Sequence, residues 1–191
     1  MELRQSKEHT QRLFIAIPVP EPISRKLEEW TLVHKESLPF RKWTHPRDYH
    51  ITLQFLGETP AAKHAALLAA LREVQAQPVS LTLHGAGTFG PPKTPRVLWA
   101  GVAGNLAGLT ALHSEVIKAT RTANFEPEDR PYSPHITLAR TYAGAAELPL
   151  GVISSASFSG EWAVDRFVLM RTHLNASPMY EVIGQFPFVK L

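Results

Sequence analysis

Apolar and polar residues change period several times along this chain, and each change marks an element. RLFIAIP (Arg12 to Pro18) is short, apolar and stopped by proline, which predicts a buried strand. From Pro22 the positions Ile23, Leu27, Trp30 and His34 fall at helical spacing, behind the helix opening EPISRKLEEW. YHITLQFLG predicts the next strand, ended by Gly57. Thr59 and Pro60 read as N-cap and first helical residue of AAKHAALLAALREVQ, with Leu67, Leu68, Leu71 and Val74 inward. VSLTLHGAGTF and RVLWAGVA alternate like strands on either side of the turn-rich GPPKTP. Asn105 caps another helix through Leu106, Leu109, Leu112 and Val116. HITLART is a strand, and GAAELPLG (Gly144 to Gly151) is an exposed loop. SFSGEWAVDRFVLMRTHL and YEVIGQFPFVKL supply two or three further strands. The order β-α-β-α-β-β-α-β-β-β predicts an α+β fold with antiparallel pairing.

Composition narrows the classes. The 191 residues fit one domain or two small lobes sharing an interface, enough chain to hide roughly two-thirds of its unfolded surface. Cysteine is absent, which removes disulfides, thiolate metal sites and a cysteine nucleophile together. MELRQSKEHTQ is polar without an apolar h-region, and no apolar run approaches the ~18 residues of a membrane span. The expectation is a soluble cytoplasmic protein. A net charge of +3 suits a phosphate-bearing partner but is far from a basic nucleic-acid arm. The local basic cluster is FRKWTHPR, with Arg41, Lys42 and Arg47 around Trp43 and His45. It reads equally as a solvated loop or as a substrate-facing rim.

The tetrapeptide HITL occurs twice, at His50 to Leu53 and at His135 to Leu138. Side chains alternate faces along a strand, so His50 and Thr52 share one face while Ile51, Leu53 and Phe55 share the other. His135 and Thr137 stand likewise over Ile136 and Leu138. If the two strands meet across a cleft, two imidazoles with ordinary pKa near 6.5 form an acid and base pair at neutral pH. Two hydroxyls beside them can hold phosphoryl oxygens. This set suits phosphodiester cleavage: one imidazole takes a proton from water and the other protonates the departing ribose oxygen. Each such group contributes ~10²–10⁴-fold. The bland alternative is a pair of strands with polar outward faces.

Other chemistries find little support. There is no H-E-x-x-H, and Asp48 is the carboxylate close to a motif, so a site of Asp48, His50 and His135 is the metal arrangement left open. GAGTFG has the wrong spacing for a nucleotide-binding glycine loop, and no serine sits in G-x-S-x-G. His9, His34, His45, His64, His84, His113 and His173 read as ordinary tail, helix, loop or strand residues.

The two H-x-T motifs, with RLFIAIPVP, HITLQFLGE, PRVLWAGV, PEDRPYSPHITLAR and YEVIGQFPF, resemble the 2H phosphoesterase superfamily, most closely its RNA 2′,3′-cyclic phosphodiesterase (2′-5′ RNA ligase-like) branch. The resemblance runs over Arg12 to Leu191. It implies one domain, 1–191, of two pseudo-twofold-related lobes, each an antiparallel sheet flanked by helices, with one motif per lobe and the site in the cleft between. It implies metal-independent hydrolysis of cyclic phosphates at RNA ends or on nucleotides to 2′-phosphates, with no cofactor and no obligate protein partner, by a monomer. Alternatives are 2′-5′ RNA ligation at the same site, or a non-catalytic RNA-end binding module. Carried over, His50 is the proton donor, His135 the proton acceptor, and Thr52 and Thr137 contact the phosphate. Arg140 matches a family arginine five residues after the second histidine. Regular alternation puts it on the wrong face, so a bulge or strand end must bring it to the cleft. Phe14, Trp43 and Tyr132 are candidates to stack on a base, although each also suits core burial. The family often has asparagine where this chain has Asp48. An ionised Asp48 beside His50 raises that imidazole's pKa, provided the side chains meet.

Overall fold

The structure is a computed structural model and describes residues 9–188. Along them run β1 (Thr10–Pro18), α1 (Glu21–His34), β2 (Phe40–Trp43), β3 (His50–Pro60), α2 (Ala61–Arg72), β4 (Val79–Phe89) and β5 (Val97–Gly104). Then come α3 (Leu106–Thr122), β6 (His135–Tyr142), α4 (Leu150–Ser154), β7 (Glu161–Val164), β8 (Arg166–Thr172) and β9 (Tyr180–Pro187). Among the described residues no helix is long and apolar enough to cross a membrane.

The strands form one sheet of order β7-β4-β5-β6-β3-β1-β8-β9, with β2 paired to β6. Four strands of that path lie on each side of the β3–β6 junction. Each half contains a strand-helix-strand unit, β1-α1-β3 or β5-α3-β6, whose two strands pair antiparallel. This is the expected α+β arrangement of two related lobes, with one refinement. The two sheets are continuous, joined at the single pair Ile51↔Ile136. Equivalent residues of the two HITL motifs therefore meet at the pseudo-twofold.

Ile51, Ile136, Leu53 and Leu138 are buried in a core shared with Leu13, Ile15 and Ile17 of β1 and Leu98 and Ala100 of β5. The stripes Leu67 and Leu71 of α2 and Leu109, Leu112 and Val116 of α3 cover it. Burying each large side chain contributes about 1.5–3 kcal/mol. Asn105 caps α3 as expected, its side-chain oxygen accepting the Gly108 N–H at 2.8 Å.

Several boundaries differ from the sequence reading, and Gly144 to Gly151, read as an exposed loop, buries Leu148 and opens α4 at Leu150. β3 continues past Gly57 because pairing with β1 extends to Thr10↔Pro60. Thr59 is consequently a buried strand residue, not a cap; its hydroxyl donates to the Gly57 carbonyl at 3.1 Å, and α2 starts at Ala61. α2 ends at Arg72, leaving Val74 beyond it but still against the core. FRKW, read as loop or rim, is the short strand β2, whose four residues are too few to show a period. The last strand ends at Pro187. Its expected final residues, like the first eight of the polar amino-terminal stretch, lie outside the described residues.

Gly101 of β5 pairs with His135 of β6. A Cβ there would collide with the backbone carbonyl oxygen of His84, where β4 bulges. Gly101→Ala is therefore expected to destabilise by about 1–3 kcal/mol, through overpacking against an unyielding backbone. Denaturant unfolding reads this directly, and an unchanged midpoint would refute the close approach.

Candidate active site

The antiparallel pair Ile51↔Ile136 places His50 opposite Thr137 and Thr52 opposite His135, one residue to either side. These four side chains share the face away from the two buried isoleucines. Beyond that single pair β3 follows β1, while β6 takes β5 on one edge and β2 on the other. A cavity of about 470 Å³ lies where β3 and β6 part, within the range of small-ligand sites. Thr52 and Phe55 of β3 line it, with His135, Thr137 and Arg140 of β6 and Tyr132 before it.

Both motif strands carry a bulge at the same letter. In β3 the partners step from Ala16↔Thr52 to Ile15↔Gln54, passing over Leu53. In β6 they step from Trp99↔Thr137 to Leu98↔Ala139, passing over Leu138. An extra residue reverses the alternation beyond it. Arg140 thereby joins His135 and Thr137 at the cavity. The same reversal corrects the expectation for Phe55: it does not join Ile51 in the core but is 46% exposed at the cavity wall.

His50 Nδ1 lies 2.7 Å from the Asp48 carbonyl oxygen, and His135 Nδ1 lies 2.7 Å from that of Ser133. A carbonyl can only accept, so each Nδ1 holds the proton of the neutral ring and each Nε2 is an acceptor. The Thr52 hydroxyl donates to His50 Nε2 at 3.1 Å. Burial breaks the symmetry. His50 is 8% exposed, with the rings of Phe14 and Tyr180 at 4.9 and 5.1 Å. Loss of water lowers its pKa from 6.5 to about 4, against the opposing Asp48 carbonyl and with help from the Arg140 charge. His135, edge-on to Phe89 at 4.8 Å, is half-buried. Burial first, and then Arg140 and Arg130 against the Ser133 carbonyl, also hold its pKa below the ordinary value.

Asp48 does not meet the His50 ring through its carboxylate. That buried group accepts the backbone N–H of Met179 at 2.8 Å and of Tyr180 at 3.2 Å, clasping the start of β9 to the motif. Its charge does push His50 upward, but desolvation outweighs it, so the expected net rise becomes a fall. With its carboxylate on the β9 backbone, Asp48 does not converge with His50 and His135; among the described residues no group of three histidine, aspartate or glutamate side chains does.

The three aromatic candidates separate. Tyr132 lines the cavity, stacked on His113 of α3 with ring centres 4.0 Å apart, and its buried hydroxyl has no partner among the described residues. Phe14 is 2% exposed and backs His50 from within the sheet, so no face is left for a base. Trp43 is opposite Ala139, on the strand face away from Arg140, and its ring packs edge-on to Phe40 instead of lining the cavity. Sequence reasoning missed Tyr180, Phe89, Arg96 and His113. His113 was findable: it follows Leu109 by four residues and flanks the buried stripe of α3. Tyr180 was not, since only the Asp48 clasp brings β9 to the motif.

A family model described as the 2′-5′ RNA ligase superfamily matches residues 19–176. An RNA 2′,3′-cyclic phosphodiesterase of Geobacillus stearothermophilus is 40% identical over 92% of this chain, which spans 57% of that relative's length. One from Bacillus subtilis strain 168 is 37% identical, covering 91% of this chain and 94% of the relative. Among solved structures, Escherichia coli LigT complexed with 3′-AMP superposes with TM-score 0.80 at 27% identity, over 95% of this chain and 100% of that one. TT0787 of Thermus thermophilus gives 0.74 at 32% identity, over 93% and 97%. Fold and paired motif strands thus define a 2H phosphoesterase of the LigT type. Within that class, the chain belongs to the 2′-5′ RNA ligase superfamily.

The depressed His50 pKa links the site to stability. Between pH 6.5 and 4 the unfolded chain binds a proton at this histidine that the folded protein does not, so stability falls as pH falls through that window. The loss amounts to about 3 kcal/mol across the window. Urea unfolding of His50→Gln is expected to show a pH dependence shallower by that amount. Parallel curves for variant and parent would mean that His50 is not desolvated.

Proposed function

We propose that this chain hydrolyses RNA 2′,3′-cyclic phosphates to 2′-phosphates with two imidazoles, one protonated as the acid and one neutral as the base, and without a metal. That it is a cyclic phosphodiesterase follows from its relationship to enzymes of that name at 35–40% identity over about nine-tenths of the chain. The observation that supports the mechanism is the matched pair of Nδ1–H bonds to Asp48 and Ser133, which leave each Nε2 as an acceptor, that of His50 held by the Thr52 hydroxyl and His135 lining the cavity with Thr52 and Thr137.

In this reading the threonine hydroxyls and the Arg140 guanidinium hold the non-bridging phosphoryl oxygens. His135 Nε2 removes a proton from a water as its oxygen bonds to phosphorus. The P–O3′ bond breaks in line, and protonated His50 delivers its Nε2 proton to the leaving O3′, so the phosphate remains on O2′. The Thr52 hydroxyl, released from His50 Nε2 on protonation, turns to the phosphoryl oxygen. A bound anion stabilises an imidazolium, so substrate raises the fraction of His50 able to donate. The assignment of donor and acceptor is that of the family resemblance.

Two measurements test this. Hydrolysis of a 2′,3′-cyclic nucleotide in excess EDTA is expected to proceed at full rate to the 2′-phosphate, and to fall by about 10²–10⁴-fold in His50→Ala and in His135→Ala. Loss of activity with EDTA would overturn the metal-free mechanism, and turnover surviving either substitution would overturn the two-histidine one. The pH profiles provide the second. The kcat/KM curve reports the free enzyme, where both imidazole pKa values are depressed, whereas kcat reports the anion-bound complex. Both curves should be bell-shaped, with the kcat/KM optimum on the acid side of the kcat optimum. Coincident optima would show that bound phosphate does not restore the imidazole pKa values.

A further inference from the structure

The basic stretch FRKW acquires a position in the fold that its sequence does not explain. Lys42 of β2 lies directly opposite Arg140 of β6, and both are exposed. Like charges facing each other on an antiparallel pair disfavour folding. No carboxylate offsets them: the ion pairs of the described residues involve neither Lys42 nor Arg140. On the other edge of β6, Arg140 pairs with Val97, and the preceding Arg96 lines the cavity, also without an ion pair among the described residues. The Arg96 backbone is pinned there, its N–H donating to Phe89 and its carbonyl accepting from Thr141, each at 2.8 Å. Lys42 on β2, Arg140 on β6 and Arg96 just before β5 are thus three cations without an ion pair on neighbouring segments; Arg140 and Arg96 line the cavity, and Lys42 stands opposite Arg140 outside the lining.

These cations lie beyond the histidines. Five residues separate His135 from Arg140, about 16 Å of strand at ~3.3 Å per residue before the bulge shortens it. Arg140 lines the cavity with His135 and Thr137 and is close enough to both imidazoles to act on their charge, while its strand partner is Lys42. Phe55 and Phe89 stand at the cavity wall, faces on which a base can stack. A free cyclic nucleotide carries one phosphate, which the histidines claim, and it leaves Lys42 and Arg96 facing no anion. An RNA chain end carries another phosphodiester one nucleotide back.

We propose that Lys42 and Arg96, flanking Arg140, form a second anion subsite for the phosphodiester on the 5′ side of the terminal nucleotide, so that the substrate is a single-stranded RNA end in preference to a free cyclic nucleotide. This rests on the cyclic phosphodiesterase reading and deepens it.

The test compares kcat/KM on a 2′,3′-cyclic mononucleotide and on a short single-stranded RNA with the same end, for the parent and for the double variant Lys42→Ala/Arg96→Ala. The parent should prefer the RNA, and the double variant should lose about tenfold of that preference through KM, the cost of charge-assisted contacts to one phosphate. Its log–log salt slope on the RNA should shrink by about 0.7, one phosphate contact on a single strand. Restoring charge with Lys42→Arg in the Arg96 parent should keep the preference. An unchanged preference, or an equal loss on both substrates, overturns the subsite. If the parent turns over neither substrate, the activity reading fails instead. Fluorescence anisotropy with the 3′-phosphorylated RNA then still decides the subsite, since equal affinity of parent and double variant would sink it.

Discussion

One backbone pair, Ile51 with Ile136, is the constraint on which the rest of the molecule depends. Among the described residues it is the only point at which β3 and β6 pair, and β2, which precedes β3 in the chain, adds its own pairing to β6 farther along that edge. Both isoleucines are fully buried, so the register is held by the core and not by the hydrogen bonds of a long ladder. A slip of one residue would send the isoleucines to the open face and the histidines into the core. Because antiparallel pairing of equivalent residues is a twofold operation, fixing this pair also sets each histidine against the other motif's threonine.

The bulges at Leu53 and Leu138 then decide which further side chains reach the cleft. Each adds one residue to its strand, keeps the leucine in the core and turns the next positions over. In β6 the residue delivered is Arg140, a fixed cation. In β3 it is Phe55, an exposed aromatic. One device applied to both halves thus produces two different walls, and the difference lies in the residues that follow the shared tetrapeptide.

The surroundings of the two histidines carry this divergence further. The C-terminal strands β8 and β9 return to the first half, and the Asp48 clasp draws Tyr180 against His50. No comparable clasp among the described residues covers His135, which looks into the cavity beside Phe89. Desolvation therefore acts more strongly on His50, and two chemically identical motifs come to differ in their readiness to hold a proton. Burial first, and then the Arg140 charge, lower both pKa values, so the free protein keeps its imidazoles neutral.

Strands and helices with long, regular periods were legible in the chain, as were the repeated motif, the shared face of each His-x-Thr pair and the Asn105 cap. These depend on spacing along one segment, and spacing is what a sequence carries. The two-lobed arrangement and the need for a bulge at Arg140 came from family resemblance and strand parity together. Four things needed the folded chain. Thr59 became strand because β1 pairs past it; Phe14 proved to be the backing of His50 and not a platform; Trp43 was turned from the cleft by its register with Ala139; and Asp48 spent its carboxylate on a segment more than a hundred residues away. Each is a contact between segments distant in sequence, chosen by burial and by the demand that backbone polar groups find partners. By itself the sequence determined which residues are candidates for the chemistry and which face of a strand each pair occupies. Only the tertiary structure decided how dry each histidine is and which cations stand beside it, because desolvation and charge act through space and take no account of position along the chain.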